Sequence, residues 1–477
     1  MKLISISIDD QKSLLQFLKD FPTNFDGVEI RADNIPSFLE WSVFQEFFDS
    51  LTIVFTCRAG SLDNEMRLNH YLGFAKQFKG YLDVDLHDWR LWSDQLLEYK
   101  DRLVLSVHNH GGPEITSIEM NECISVQPAI LKFAIKTEES WQGLALLKRL
   151  RSTEMGVSKL VLTCMGEAGQ WSRMAAKALG SLWSYYCLPD GKTAPGQIDL
   201  NQYQHEQFHE APIGSSIFGI IGDPVTHSLS PRIHNAFFSG SNHHSIYVRF
   251  PGDDLQEFFD LLPPEVQGLS VTTPFKQKVV EFCDTLDPVA GASGVVNTMR
   301  RSAQGWKGYN TDGPAIVEAI AKNWSGINEF RRIIILGAGA VAKAILACIS
   351  EYKDKIIIRN RSEDTARKLA ESYGAQWVEY DKEIDLSNSL IIQCTSVGMG
   401  EDCSTPIPAE WINSSVSLVE SIYFPRRTKL MQLVDEAGGQ CLGGLHLFLH
   451  QALLQQKIWC DEAHMEYKAA ADLLGVS

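Results

Sequence analysis

The 477-residue sequence has no run of the ~18–20 uninterrupted apolar residues that a membrane-spanning helix needs. It has no CxxC pair either. Its ten cysteines are scattered from Cys57 to Cys460, without the tight, repeated spacing of metal cages or disulfide frameworks. Reduced, mostly buried thiols and no metal site are therefore expected. Basic residues are also scarce: 43 Lys+Arg face 59 Asp+Glu, a net charge of −16. Such a surface repels polyanions, so neither nucleic acid nor an anionic membrane is an expected partner. Internal repeats and low-complexity segments are absent, and 44% hydrophobic with 21% charged residues is the composition of folded globular chains. The opening MKLISISIDD alternates like a strand and carries acids at once, unlike a signal or transit peptide; the cytoplasm is the expected location.

At roughly 150 residues per domain, the length suggests about three units. Over the first 210 residues, strand-like runs alternate with amphipathic helical stretches. The runs are 2–8, 27–32, 51–57, 80–86, 102–108, 130–135, 159–165 and 181–186. Eight such units predict a (β/α)₈ barrel, with an open doubly wound sheet as the alternative. The polar stretch 201–214 reads as a linker. Residues 215–320 then form a compact α/β unit. The run RRIIILGAGAVAKAILACI (331–349) opens a third unit with a strand, a Gly-rich turn and a helix, spanning 325–442. The helical tail, 443–477, is expected to fold back on the second unit.

In a barrel, chemistry gathers at the C-terminal ends of strands. Glu29, Arg31, Arg58, His108 and Lys132 all lie inside or just after a predicted strand. A lysine inside an apolar run is expected to have its charged form penalised by burial, which makes it a nucleophile for a ketone. A histidine on the adjacent strand has the pKa to move a proton beside an imine. Each has an ordinary structural alternative on its own, a snorkelling lysine and a hydrogen-bonded core histidine. Arg31, Arg58 and Arg173 suggest a carboxylate and hydroxyl clamp in this acidic protein.

The motifs EIR (29–31), FTCR (55–58), SVHNH (106–110), LKFAI (131–135), GQWSR (169–173) and APGQ (194–197) resemble type I 3-dehydroquinate dehydratase. The resemblance implies that Lys132 forms a Schiff base with the substrate ketone. His108 would move the proton at the neighbouring carbon and protonate the leaving hydroxyl. Glu29, Arg31 and Arg58 would touch ring hydroxyls, and Arg173, Thr193 and Gln197 the carboxylate end. One departure stands out: where the family has a glutamate supporting the histidine, this sequence has Leu62, so either Asp63 or Glu65 substitutes from a shifted loop or the support is missing.

Farther along, Gly337-Ala338-Gly339-Ala340-Val341-Ala342 follows an apolar strand and opens a helix, the context of a dinucleotide-binding turn. The next strand ends in Asn360, Arg361 and Ser362 rather than an acid, which suits the 2′-phosphate of NADP better than the ribose of NAD. The segments GDPVTHSLSP (222–231), GLSVTTPFK (268–276), GVVNT (294–298), GYNTDG (308–313), QCTSVGM (393–399), SIYFPRRTKL (421–430) and GLHLFLHQ (444–451) together resemble shikimate dehydrogenase. That resemblance implies Ser228 and Ser230 on the substrate carboxylate and Thr272, Asn297, Asp312 and Gln451 on its hydroxyls. Lys276 and Asp312 would be the catalytic pair, with Tyr423 near the substrate and Thr395 near the cofactor.

Joined, the two resemblances imply a bifunctional chain that converts 3-dehydroquinate to 3-dehydroshikimate and reduces it with NADPH to shikimate. Two alternatives remain: an NAD-linked quinate/shikimate dehydrogenase working oxidatively, and an inactive metabolite sensor. The second is disfavoured by the presence of all four chemical groups, Lys132, His108, Lys276 and Asp312.

Overall fold

A computed structural model describes the chain except residues 9, 36–40, 49, 61, 154–158, 242, 253 and 477. Its internal packing divides it into Met1–Gln267 and Gly268–Ser477.

The first unit opens with eight parallel strands: β1 (Lys2–Ser7), β2 (Gly27–Arg31), β3 (Thr52–Thr56), β4 (Tyr81–Asp85), β5 (Leu103–Asn109), β6 (Ile130–Lys136), β7 (Leu160–Met165) and β8 (Ser184–Cys187). Neighbours in sequence are neighbours in the sheet from β1 to β7, and β8 lies on the free side of β1. A two-residue strand, β9 (Ile198–Asp199), extends β8. The ring closes between β7 and the approach to β8, where the Leu182 N–H donates to the Leu160 carbonyl at 2.9 Å. Inward residues of six strands, Leu3, Val54, Val104, Ile130, Val161 and Tyr185, pack on Trp183 as one buried layer. This is the predicted barrel: period-two alternation sends every second apolar side chain inward, and the intervening helices cover the others.

The segment 201–214, expected as a linker, is structured. Asp199 caps a helix, Leu200–His205, by accepting from the Gln202 N–H at 2.9 Å. Tyr203 packs edge-on against Tyr186 and also against Phe25, so three aromatics recover the burial that the missing branched residues do not supply. Beyond it, β10 (Ile217–Gly222) and β11 (Ile246–Pro251) pair in parallel around the helix Ser230–Gly240.

In the second unit, β12 (Val266–Val271, mostly within it), β14 (Thr298–Ser302) and β15 (Gly305–Tyr309) form an antiparallel ribbon, and β13 (Thr285–Leu286) lies parallel to β15. The long C-terminal helix Gly444–Trp459 packs on this ribbon: Gln455 Oε1 accepts from Ser270 at 2.9 Å, and Trp459 donates to the Met299 carbonyl. Next come β16 (Arg332–Leu336), β17 (Ile356–Arg359), β18 (Gln376–Trp377), β19 (Ser389–Gln393), β20 (Ser417–Glu420) and β21 (Gln440–Leu442). They are all parallel, in the order β18-β17-β16-β19-β20-β21. Their near-continuous Ile/Leu/Val content fits a sheet buried on both faces. The order reverses between β16 and β19, the crevice where doubly wound sheets bind dinucleotides.

Candidate active sites

The barrel encloses a cavity of about 430 Å³ lined by Glu29, Arg31, Arg58, His108, Lys132, Arg173, Thr193 and Gln197, together with Asp85 and Tyr185. All eight residues singled out for the first site therefore face one space. Lys132 points inward from β6 and is 5% exposed. Its Nζ lies 2.6 Å from Asp83 Oδ2 and 3.3 Å from Glu29 Oε1, with the Tyr185 ring centroid 4.3 Å away.

This arrangement corrects one expectation. Burial by itself lowers a lysine pKa, but here Asp83 and then Glu29 outweigh it and hold the ammonium above its ordinary value. The amine thus starts as one pole of a buried ion pair and must shed a proton before it can attack a ketone. The acids stay ionised: burial opposes this, but Arg58 and Lys132 hold Asp83 far below the usual carboxylate range, and Lys132 and Arg31 hold Glu29 down. Hydroxyls complete the shell of Glu29, with Thr56 Oγ1 donating at 3.1 Å and Ser5 Oγ also donating; Ser5 in turn meets Thr193 Oγ1 at 2.7 Å.

His108 sits on β5, the strand beside β6, with its side chain on the same inward face. Burial first, then the Arg58 charge, push its pKa down to about 4, so it is neutral at pH 7. Leu62 leaves the histidine unsupported from the β3 loop. Asp63 is occupied as a helix cap, accepting from the Met66 N–H at 2.8 Å, and Glu65 is exposed. Contact with His108 Nδ1 comes instead from Asp85 Oδ2 at 3.0 Å.

The three arginines differ. Arg31 is paired to Asp33 at 2.6 Å. Arg58 bridges Asp83 at 2.6 Å and Ser106 at 3.1 Å. Arg173 is 1% exposed, donates to the backbone carbonyls of Cys164 and Pro195, and has no carboxylate partner among the described residues. Burial lowers its pKa to about 10, which leaves it charged. Gln197 Oε1 accepts from the N–H groups of Thr193 and Ala194, which fixes the APGQ turn beside Arg173.

Asp83, Asp85 and Tyr185 were not singled out from sequence. The signal was present in DVD: two acids spaced by two in an apolar strand share one face.

The second unit holds another lysine–carboxylate pair. Lys276 Nζ lies 2.6 Å from Asp312 Oδ2. Asn297 orients the acid, its Nδ2 donating to Asp312 Oδ1 at 2.7 Å and to Thr311 Oγ1 at 2.9 Å. Asn310 Oδ1 accepts the N–H groups of Asp312 and Gly313, tying down the start of the helix Asp312–Asn323. Thr272 forms the turn ahead of Lys276, accepting from the Phe275 N–H at 2.9 Å. Gln451 Nε2 donates to the Phe448 carbonyl, and Phe448 packs against Tyr423 with centroids 5.6 Å apart. Gln455, not foreseen, ties its helix to Asn297 and Thr298. Ser228 and Ser230 lie in the first unit, in the turn after β10, where Arg249 donates to the Ser228 carbonyl at 2.9 Å and the Ser230 N–H reaches Ser228 Oγ.

At the switch point, Gly337 has φ +109°, and a Cβ there would meet the Cys394 backbone at 3.1 Å. Only glycine fits that position without strain. A Cβ on Gly339 would meet nothing within 4 Å, and the helix Ala340–Ile349 starts without a side-chain cap. Ala338 and Ala340 flank the turn, and buried Ala342 packs the helix on the sheet. Arg361 is exposed just beyond β17, and Asn360 Nδ2 and Ser362 shape the turn before the next helix. Arg359 is instead buried under Trp411 and Tyr380. Thr395 Oγ1 accepts from Gln393 Nε2 and the Val397 N–H at the end of β19. These features fit a dinucleotide pyrophosphate at the helix N-terminus and a phosphate near Arg361.

Residues 3–206 match the family described as type I 3-dehydroquinase, and 220–299 match the shikimate dehydrogenase substrate binding domain. Residues 332–399 match an NADP oxidoreductase family described as coenzyme F420-dependent. A shikimate dehydrogenase (NADP(+)) of Dehalococcoides mccartyi is 31% identical over 264 residues, 52% of this chain and 92% of that protein. The chloroplastic bifunctional 3-dehydroquinate dehydratase/shikimate dehydrogenase of Arabidopsis thaliana is 29% identical over 316 residues, 62% of this chain and 52% of that enzyme's length. The crystal structure of shikimate dehydrogenase from Aquifex aeolicus superposes with a TM-score of 0.52 at 28% identity, covering 55% of this chain and 98% of that one. The chain belongs to the shikimate dehydrogenase family and carries a type I 3-dehydroquinase region ahead of its dehydrogenase region.

Proposed function

We propose that this chain carries out two consecutive steps, dehydration of 3-dehydroquinate to 3-dehydroshikimate and NADPH-dependent reduction of that ketone to shikimate. The observation that carries the reading is the buried triad of Lys132, Asp83 and Glu29 beside a neutral histidine. It supplies an amine, two carboxylates that hold positive charge on its nitrogen, and a base in one cavity. Lys132 attacks the ketone, and the two protons its ammonium gives up leave with the ketone oxygen as water, which forms the protonated imine beside Asp83 and Glu29; after the elimination, water cleaves the imine to free the product and the amine. The protonated imine draws electrons from the adjacent carbon, whose proton His108 Nε2 accepts; His108 then returns that proton to the departing hydroxyl. Arg173, charged and with no acid partner among the described residues, takes the substrate carboxylate with Thr193 and Gln197, while Glu29, Arg31 and Arg58 meet the hydroxyls.

In the dehydrogenase region, NADPH supplies the hydride. Gly337, Ala338, Gly339, Ala340 and Ala342 form the pyrophosphate turn, Asn360, Arg361 and Ser362 receive the 2′-phosphate, and Thr395 borders the nicotinamide end. Lys276 gives a proton to the carbonyl oxygen as it gains charge, and Asp312, oriented by Asn297, holds that lysine in place. Ser228 and Ser230 take the carboxylate; Thr272, Asn297, Gln451 and Tyr423 surround the ring. The division proposed for these tasks is 1–210, then 215–320 completed by 443–477, then 325–442. Ten unpaired thiols suit a reducing compartment, the cytoplasm.

The test mixes the purified chain with 3-dehydroquinate, first without and then with NADPH. Enone absorbance should appear first, followed by NADPH oxidation and shikimate formation. Absence of the enone would sink the first half of the reading; an enone that persists with NADPH unspent would sink the second.

A further inference from the structure

The histidine of the barrel cavity is gripped from two sides by groups of opposite hydrogen-bonding character. Arg58 NH2 lies 3.3 Å from His108 Nε2 and can only donate; Asp85 Oδ2 lies 3.0 Å from Nδ1 and, ionised, can only accept. Together they admit one neutral tautomer, with the hydrogen on Nδ1 and a lone pair on Nε2. Asp85 is itself immobilised. It closes β4 and caps the helix Leu86–Leu96, its Oδ1 accepting from the His87 N–H at 3.0 Å. One oxygen caps the helix and the other holds the imidazole, so the cap fixes the carboxylate that aims the base.

We propose that Asp85 is the positioning residue of the dehydration site, setting the tautomer of His108 and stabilising its imidazolium once the substrate proton is taken. This rests on the reading that the cavity dehydrates its ligand through Lys132. The charged and titratable groups facing His108 are Asp85 and Asp83 from β4, Arg58 beyond β3 and Lys132 from β6. His110, beyond β5, stacks on its ring with centroids 6.1 Å apart. Among them Asp85 is the one that hydrogen-bonds the imidazole as an acceptor. It works against burial and Arg58 to keep the ring basic, and the nearby Arg58 NH1, 3.9 Å away, helps keep Asp85 ionised.

The test uses the full chain with Asp85→Asn and Asp85→Ser. Both residues are good helix caps, so the local fold is retained. Asparagine can still offer a carbonyl to Nδ1, without the charge; serine is too short to reach it. Dehydration kcat should fall about tenfold in Asp85→Asn and about 10²-fold in Asp85→Ser, within the range a general base contributes. The acid limb of the kcat–pH profile should move to lower pH. Borohydride trapping of 3-dehydroshikimate on Lys132 should survive in both variants, because forming the imine from this ketone does not need the histidine. His108→Ala combined with Asp85→Ser should be no slower than His108→Ala alone. Unchanged kcat and an unmoved acid limb would overturn the proposal. So would loss of trapping together with kcat, which marks a purely structural role. If wild type itself forms no enone, the underlying reading fails instead, which separates the two outcomes.

Discussion

Each unit of this chain contains a lysine 2.6 Å from an aspartate, yet the two pairs live in different surroundings. Lys132 and Asp83 are 6% and 0% exposed at the side chain, packed among Glu29, Arg58, His108 and Tyr185. Lys276 and Asp312 are 16% and 14% exposed, oriented by two asparagines and a backbone turn. The first pair is a dense ionic network in low dielectric, where each charge is strongly coupled to the next and removing one leaves others stranded. The second is a lightly supported pair, and the task proposed for it is to deliver a proton to an oxygen. Covalent catalysis builds its nucleophile into the wall of the protein; hydride transfer borrows its reactive group and asks less of the chain.

Substitutions should separate the two pairs. Lys132→Ala should abolish dehydration, by at least about 10⁴-fold, because no other group can form the imine. Reduction of added 3-dehydroshikimate should be unchanged, and parallel assays of enone formation and NADPH oxidation check both. A variant that still dehydrates would make the buried pair structural and end the comparison. Lys276→Ala should slow reduction by about 10²–10⁴-fold while the enone accumulates at the normal rate.

Smaller effects sharpen the contrast between built-in and borrowed chemistry. Arg361→Ala should raise KM for NADPH by about tenfold to a hundredfold, the value of a charged hydrogen bond, with KM for NADH nearly unaltered. An equal change for both cofactors would remove Arg361 from the 2′-phosphate.

Glu420, at the end of β20, is buried and has no cationic partner among the described residues. It accepts from the Ile422 and Ser421 N–H groups and from Thr428 Oγ1, and burial pushes its pKa up to about 7. The folded state therefore holds this proton more tightly than the unfolded state, where a glutamic acid has the usual 4.5. Its stabilising contribution, about 3 kcal/mol, is complete below the unfolded value and is lost as pH rises through 7. Glu420→Gln should flatten that decline, read as pH-dependent hydrogen exchange in the strand Ser417–Glu420. A decline that persists in the variant would assign it to another group.

Much of this was written in the linear order of residues. Alternation in runs such as KLISISI and ILKFAIK specified strands, and their spacing from helical stretches specified a barrel, because a two-residue period can bury a face only in a sheet. The turn at Gly337 was legible because a close backbone approach leaves room for no side chain. The packed segment 201–214 was harder to read, since its anchoring comes from Phe25, Tyr186 and Arg249, all distant in sequence. The same holds for Gln455, which joins a C-terminal helix to β12 and β14.

Residue order therefore determined which groups the chain possesses and which strand end carries each: an amine on β6, an imidazole on β5, arginines behind β3 and β7. Tertiary structure decided their protonation. Folding sets Asp83 and Glu29 against Lys132 and makes a charged pair where isolation in apolar surroundings would have left a neutral amine. It also brings Asp85 to His108 in place of the β3 loop. Local pattern fixes direction and face over a few residues, whereas electrostatic energy depends on every charge within several ångströms, and those neighbours are assembled only when distant strands close the ring.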